Sequence, residues 1–289
     1  MKWFCLFAVL FCRLASAAET LMVCGGAEIA LIDPADDGAR RLWSWKAADH
    51  PEIPEALRKA FGTTTDMRLL EGGKRLAIAS SGGGCALLDY ATGRVLWSAR
   101  VGNAHAIEPL PGGRLIVAGS LGADKLVLFH PDSGDRILWQ TPLHSAHGVV
   151  WDDVRKRLYA LGHDDLREFS LVDWETPTPS LKLESTTKLP DPDGHDLSAV
   201  PGSADLVFST HAGVWRFDRE SREVGPFEAL KDQSLVKCVS IHPGTGRIAF
   251  IQAKGGKAWW SDEVGFLKPE GRRAIPGVTL YKVRWIAAP

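Results

Sequence analysis

The sequence carries no surplus of charge of either sign. Its 34 Lys and Arg stand against 35 Asp and Glu, a formal net charge of −1. A protein that coats nucleic acid or another polyanion needs a basic excess for its phosphate contacts, so that class is excluded. Beyond the N-terminus no apolar run approaches the about 20 residues that a spanning helix needs. No CxxC spacing, HxxxH or HExxH is present, so no local metal or dithiol motif is written in the chain. There is no Walker loop, no GxGxxG after a strand and no GxSxG elbow. Gly82-Gly83-Gly84 is a lone glycine run and only a weak phosphate signal.

What is abundant is turn and strand chemistry. The 289 residues are 45% hydrophobic, enough for a packed core, and hold 29 Gly, 17 Pro and 11 Trp. That mixture suits many short strands joined by tight turns. The N-terminus is different. Lys2, an apolar stretch from Trp3 to Phe11 and the small residues Ala15-Ser16-Ala17 read as a signal peptide, residues 1–17, cleaved after Ala17. Bulky Phe11 before Cys12 argues against a lipoprotein site. The expected product is one domain, 18–289. It is a monomer without a membrane span, exported to a periplasm or outside the cell. Cys5 and Cys12 leave with the signal. Cys24, Cys85 and Cys238 are expected as small buried side chains, with a single chance pair as the alternative.

The main signal is a repeat of about forty residues. Its clearest copy runs from His105 through the Pro111-Gly112-Gly113 turn, Arg114–Ala118, Lys125–Phe129 and the Asp-Ser-Gly turn to Trp139. A second strand recurs six times: Leu21–Val23, Leu76–Ile78, Leu115–Val117, Leu158–Ala160, Leu206–Phe208 and Ile248–Phe250. A first strand also recurs six times, starting near Met67, Ala106, Gly148, Asp196, Cys238 and Val283. The runs are short, β-branched and bounded by Gly, Pro and Asp, so strand wins over helix. The chain starts on a second strand and ends on a first one. The expectation is an all-β, six-bladed β-propeller, with residues 279–289 completing the blade begun by 20–46. Such closure protects the sheet edges. A seventh blade is the alternative if 47–65 or 172–194 hides strands. One helix is expected, Pro54–Phe61, ended by Gly62.

Strand direction alternates within a blade, so the heads of the first strands and the second-to-third loops share one end of the ring. The heads carry Asp66, His105, His147, His195, Lys237 and Lys282; the loops add His163 and His211. Five of nine histidines thus map to one end. A concave mouth with a few converging polar groups is the default ligand site. His147, His195 and His105 are the candidate catalytic residues; Asp66, Lys237 and Lys282 are the candidate ligand-binding residues. The ordinary alternative is that each histidine hydrogen-bonds within its own blade. His50, His130, His144 and His242 lack the placement and read as surface or turn residues. Asp164, Asp165, Lys254 and Lys257 read as solvated.

Thr92–Trp97 and Ser133–Trp139 are similar to the tryptophan-bearing end of quinoprotein-type repeats, a structural motif that implies no quinone cofactor. Asn103-Ala104-His105, Ala146-His147-Gly148 and Gly194-His195-Asp196, in order at blade spacing, resemble an uncharacterised family of exported bacterial β-propellers across nearly all of the mature chain. A looser similarity is to propeller-fold lyases acting on uronic-acid glycosides, which gather histidines, and in some cases a divalent metal, at the axis.

Three readings follow. The first is a lyase-type enzyme on acidic oligosaccharides. β-Elimination needs a base beside a carboxylate, and positive charge to steady the enolate-like intermediate. Histidine, with a pKa of about 6.5, is a base near neutral pH. His147 or His195 fits that role, with Lys237, Lys282 or a metal on the carboxylate. The second reading is a divalent metal held by His147, His163, His195 and His211. The third is a non-enzymatic platform for a glycan, peptide or protein, which exposed aromatics would favour; Trp174 reads equally as such a residue or as an indole docked between blades. A hydrolytic carboxylate pair drawn from Asp66, Asp191, Asp193 and Asp196 requires a separation that spacing alone does not give.

Overall fold

A computed structural model describes residues 19–286. The expected signal segment, with Cys5 and Cys12, lies outside the described residues, as do 287–289. Six four-stranded antiparallel sheets form a ring, a six-bladed β-propeller. Residues 47–65 and 172–194 add no seventh blade. Closure occurs in blade one, where Thr20–Gly25 pairs with Lys282–Ile286, Val23 opposite Val283. Both chain ends therefore contribute to one sheet.

The second strands show why the ring holds. They are apolar on both faces because each blade is sandwiched between two others. In blade two, Leu76 and Ile78 pack with Met22 and Cys24 of blade one, while Ala77 and Ala79 pack with Ile107 and Val117 of blade three. Six such clusters occur, one at each blade junction. Each fully buried Leu, Ile or Val contributes about 1.5–3 kcal/mol. Tryptophans lock the outer edges. Trp45 Nε1 donates to Gly93 O at 3.0 Å, and Trp97 Nε1 to Gly134 O at 2.7 Å, each in a turn of the following blade. Trp174 behaves likewise: it is buried and donates to Pro111 O at 3.0 Å. Of the two readings of Trp174 the docked indole holds and the exposed aromatic does not, because the ring packs on a neighbouring blade.

The expected helix is a short one, Glu55–Arg58, continued by a 3₁₀ turn, Lys59–Phe61. It packs against the glycine run. A Cβ on Gly84 would meet the Phe61 ring at 2.8 Å, and one on Gly82 would meet Ala60 O at 2.5 Å. Close approach accounts for these glycines without a phosphate. Cys24, Cys85 and Cys238 are free and buried.

Candidate functional site

Aligning the second strands of the six blades aligns their inner strands. The residues paired with Ala79, Ala118, Leu161, Ser209, Ile251 and Cys24 are Asp66, Ala106, Gly148, Asp196, Cys238 and Lys282. The residue just before each is Thr65, His105, His147, His195, Lys237 and Tyr281. These six line one axial cavity of about 660 Å³. Four of them are the sequence-predicted His105, His147, His195 and Lys237. Two predicted ligand-binding residues are displaced by one position. Asp66 and Lys282 are fully buried and absent from the cavity wall; Thr65 and Tyr281 take their places. One residue is about 3.3 Å along a strand, enough to move a side chain from the wall to beneath the floor.

The local backbone fixes the imidazoles. Asn103, Ser145, Asp193 and Leu235, each two residues before a head residue, adopt left-handed φ of 48°, 47°, 65° and 59°. In two blades the turned carbonyl meets the ring: His105 Nδ1 lies 2.9 Å from Asn103 O, and His147 Nδ1 lies 2.9 Å from Ser145 O. A carbonyl only accepts, so each Nδ1 carries the proton. Among the described residues Nε2 of neither ring has a hydrogen-bond partner, so each is a lone pair left to the cavity the rings line. His195 differs. Its Nε2 lies 2.7 Å from Lys237 Nζ, and its buried Nδ1 has no hydrogen-bond partner among the described residues. The rings form a file, with centroids 4.2 Å apart for His105–His147 and 5.2 Å for His147–His195.

Burial sets their charge. Desolvation pushes His105 down to about 4, against the pull of its bond to Asn103. His147 falls well below the ordinary histidine range through burial and its two neighbouring imidazoles. Burial and the adjacent Lys237 do the same to His195. Lys237 is pushed down to about 8 by burial. At neutral pH the wall thus presents three neutral imidazoles beside one ammonium. Tyr281 keeps its proton, its phenol raised by desolvation.

Beneath the floor lies a buried ion cluster. Arg284 grips Asp196 with two nitrogens, at 2.8 and 3.2 Å, and reaches Asp66 at 3.3 Å. Lys282 Nζ lies 3.1 Å from Asp196 and 3.8 Å from Asp66. Arg68 bridges Asp66 at 3.7 Å and Glu108 at 2.8 Å. Three cations face three carboxylates. The carboxylates also stitch blades together, Asp66 accepting from Ile107 N and Asp196 from Val239 N. Although burial opposes it, Arg284 and Lys282 hold Asp196 far below the usual carboxylate range.

At the mouth stand side chains that sequence reasoning missed. Trp259 and Trp260 line the cavity and are 62% and 36% exposed. They follow Gly255-Gly256 in the second-to-third loop of blade six, on the candidate end, and that position was the signal. His211 joins the wall; His163 does not, since its Nδ1 lies 3.1 Å from Asp193 and its ring 4.8 Å from His144. The four-histidine metal set is therefore not assembled. Among the described residues no group of three or more His, Cys, Asp or Glu is disposed to hold a metal ion. His130 and His242 accept backbone N–H bonds in turns, as expected for turn residues.

Residues 18–288 match a family of unknown function, DUF6528. The chain belongs to that family. No curated protein matches it. No helix among the described residues of this DUF6528 propeller is long and apolar enough to cross a membrane.

The depressed histidines make the stability of this DUF6528 chain acid-sensitive. Below about pH 6.5 an unfolded histidine takes up a proton that the folded site refuses, so stability is full above that pH and is lost as pH falls towards about 4. The melting temperature is expected to drop between pH 7 and pH 4.5, and His105→Gln is expected to shallow that slope. Calorimetric scans over this range check it; identical slopes would place His105 in solvent.

Proposed function

We propose that the axial pocket binds an acidic sugar and acts on it by lyase-type acid/base chemistry. The observation that carries this reading is the His147 Nε2 lone pair, open to the cavity in the same wall as the Lys237 ammonium. Lys237 pairs with the uronate carboxylate and makes the neighbouring C–H more acidic. His147 Nε2 removes that proton. The C–O bond β to it breaks, and the Tyr281 hydroxyl protonates the departing alkoxide. Burial weakens an imidazole as a base, but a carboxylate entering the cavity supplies negative charge that restores basicity. Trp259 and Trp260 offer faces on which sugar rings stack at the mouth. The looser resemblance to uronate lyases and the expected export of the chain agree with this substrate class.

Incubation of the purified chain with acidic oligosaccharides tests the reading. Each cleavage creates a conjugated double bond, seen as a rise in ultraviolet absorbance. Binding without that rise would favour a second reading, a non-catalytic sugar platform, for which the exposed indoles of Trp259 and Trp260 speak. Trp259→Ala is expected to weaken binding about tenfold, or ~1.4 kcal/mol, in titration calorimetry. Unchanged affinity would remove Trp259 from the ligand path.

A further inference from the structure

We propose that Lys237 is also a nucleophile, forming a reversible imine with the open-chain aldehyde of a polyhydroxylated ligand. The inference rests on the pocket being a sugar site, though not on elimination occurring there. Two lysines of adjacent blades reach the axis, and their surroundings differ. Lys282, beneath the floor, has carboxylates at 3.1 and 3.8 Å. Lys237, in the wall and itself almost fully buried, has no carboxylate within ion-pair distance among the described residues, although Asp193, also in the wall, favours its charged form. Its polar contact is His195 Nε2 at 2.7 Å, and the Trp259 ring lies 5.4 Å from Nζ. Burial outweighs the pull of Asp193, so an ammonium held by an imidazole lone pair and an indole face loses its proton readily. Its pKa of about 8 leaves about one-tenth as free amine at pH 7. His195 Nε2 is placed to receive the proton that must leave before the nitrogen can attack.

The wall also defines the ligand. His105 and His147 offer Nε2 acceptors, which suit hydroxyl donors on the carbons beside the aldehyde. The amine lone pair forms a C–N bond to the carbonyl carbon as the carbonyl π-bond opens. The oxygen takes up a proton, giving a carbinolamine. Loss of that oxygen as water leaves the protonated imine, so one water is released and no oxidant or reductant is consumed.

The full chain, with no acidic sugar present, is incubated at pH 7 with glyceraldehyde and sodium cyanoborohydride, which reduces any imine to a stable secondary amine. Peptide mapping by mass spectrometry then gives the alkylation rate of each lysine. Lys237 is expected to react at least tenfold faster than exposed lysines such as Lys59 and Lys182. His195→Ala is expected to slow Lys237 alone. Reaction of Lys237 at or below the rate of the exposed lysines would overturn the proposal. Because no elimination is read, a chain that alkylates at Lys237 but cleaves nothing keeps this inference and loses the lyase reading.

Discussion

Arg284→Met is expected to cost about 3–5 kcal/mol of folding stability, the usual result of leaving a buried charge without its partner. Thermal unfolding at neutral pH should show a fall of roughly 6–20 °C, on a scale of about 2–4 °C per kcal/mol for chains of this size. The reason is the arithmetic of the axial cluster. Arg284 neutralises Asp196 through two short bonds and reaches Asp66 as well. Its removal leaves two buried carboxylates with, among the described residues, Lys282 and Arg68 as the cations close by. Arg284 also lies on the C-terminal strand that closes blade one, so weakening the cluster weakens ring closure. Adding Asp196→Asn to Arg284→Met removes one orphaned charge and should recover part of the loss. A single variant that melts with the wild-type chain would show that the cluster does not hold the axis.

The second large effect concerns turnover. Removing both His147 and His195 as alanines is expected to abolish cleavage of acidic oligosaccharides while the chain still folds. His147→Ala alone should lower kcat about 10²–10⁴-fold, the range for loss of a positioned base. His195→Ala acts differently, because His195 holds Lys237 Nζ at 2.7 Å; its loss should raise KM more than it lowers kcat. Neither imidazole contributes to the hydrophobic clusters between blades, so circular dichroism and melting should change little. Full activity in the double variant would end the proposed chemistry.

The blades were legible because their grammar is local. Leu76–Ile78 and its five counterparts are apolar on both faces only when a sheet is covered on both sides, and Gly, Pro and Asp mark the turns. The cavity wall was legible where a charged or imidazole side chain stands at a strand head, as at His105, His147, His195 and Lys237. It failed where the head residue is of a quieter type. Blades two, three and six each carry a register shift at the strand head, between Thr64 and Asp66, Ala104 and Ala106, and Val236 and Cys238, and in blade two alone of these is the extra residue, Thr65, neither charged nor an imidazole. The visible charge of Asp66 therefore drew attention from Thr65. In blade one Lys282 did the same to Tyr281. Trp174 reads either way until its acceptor, Pro111 O, is seen 63 residues earlier. The metal set failed because His163 turns to Asp193 and His144 instead of the axis.

The proposed chemistry depends on neutral imidazoles whose Nε2 lone pairs face the cavity. Nitrogen–proton correlation spectra of the histidine rings, recorded from pH 8 to pH 4, observe those lone pairs directly. His105 and His147 are expected to appear as neutral rings protonated at Nδ1, His105 unchanged until pH falls below about 5 and His147 neutral well below the ordinary histidine range. Rings protonated on both nitrogens at pH 7, or carrying their proton on Nε2, would contradict the site.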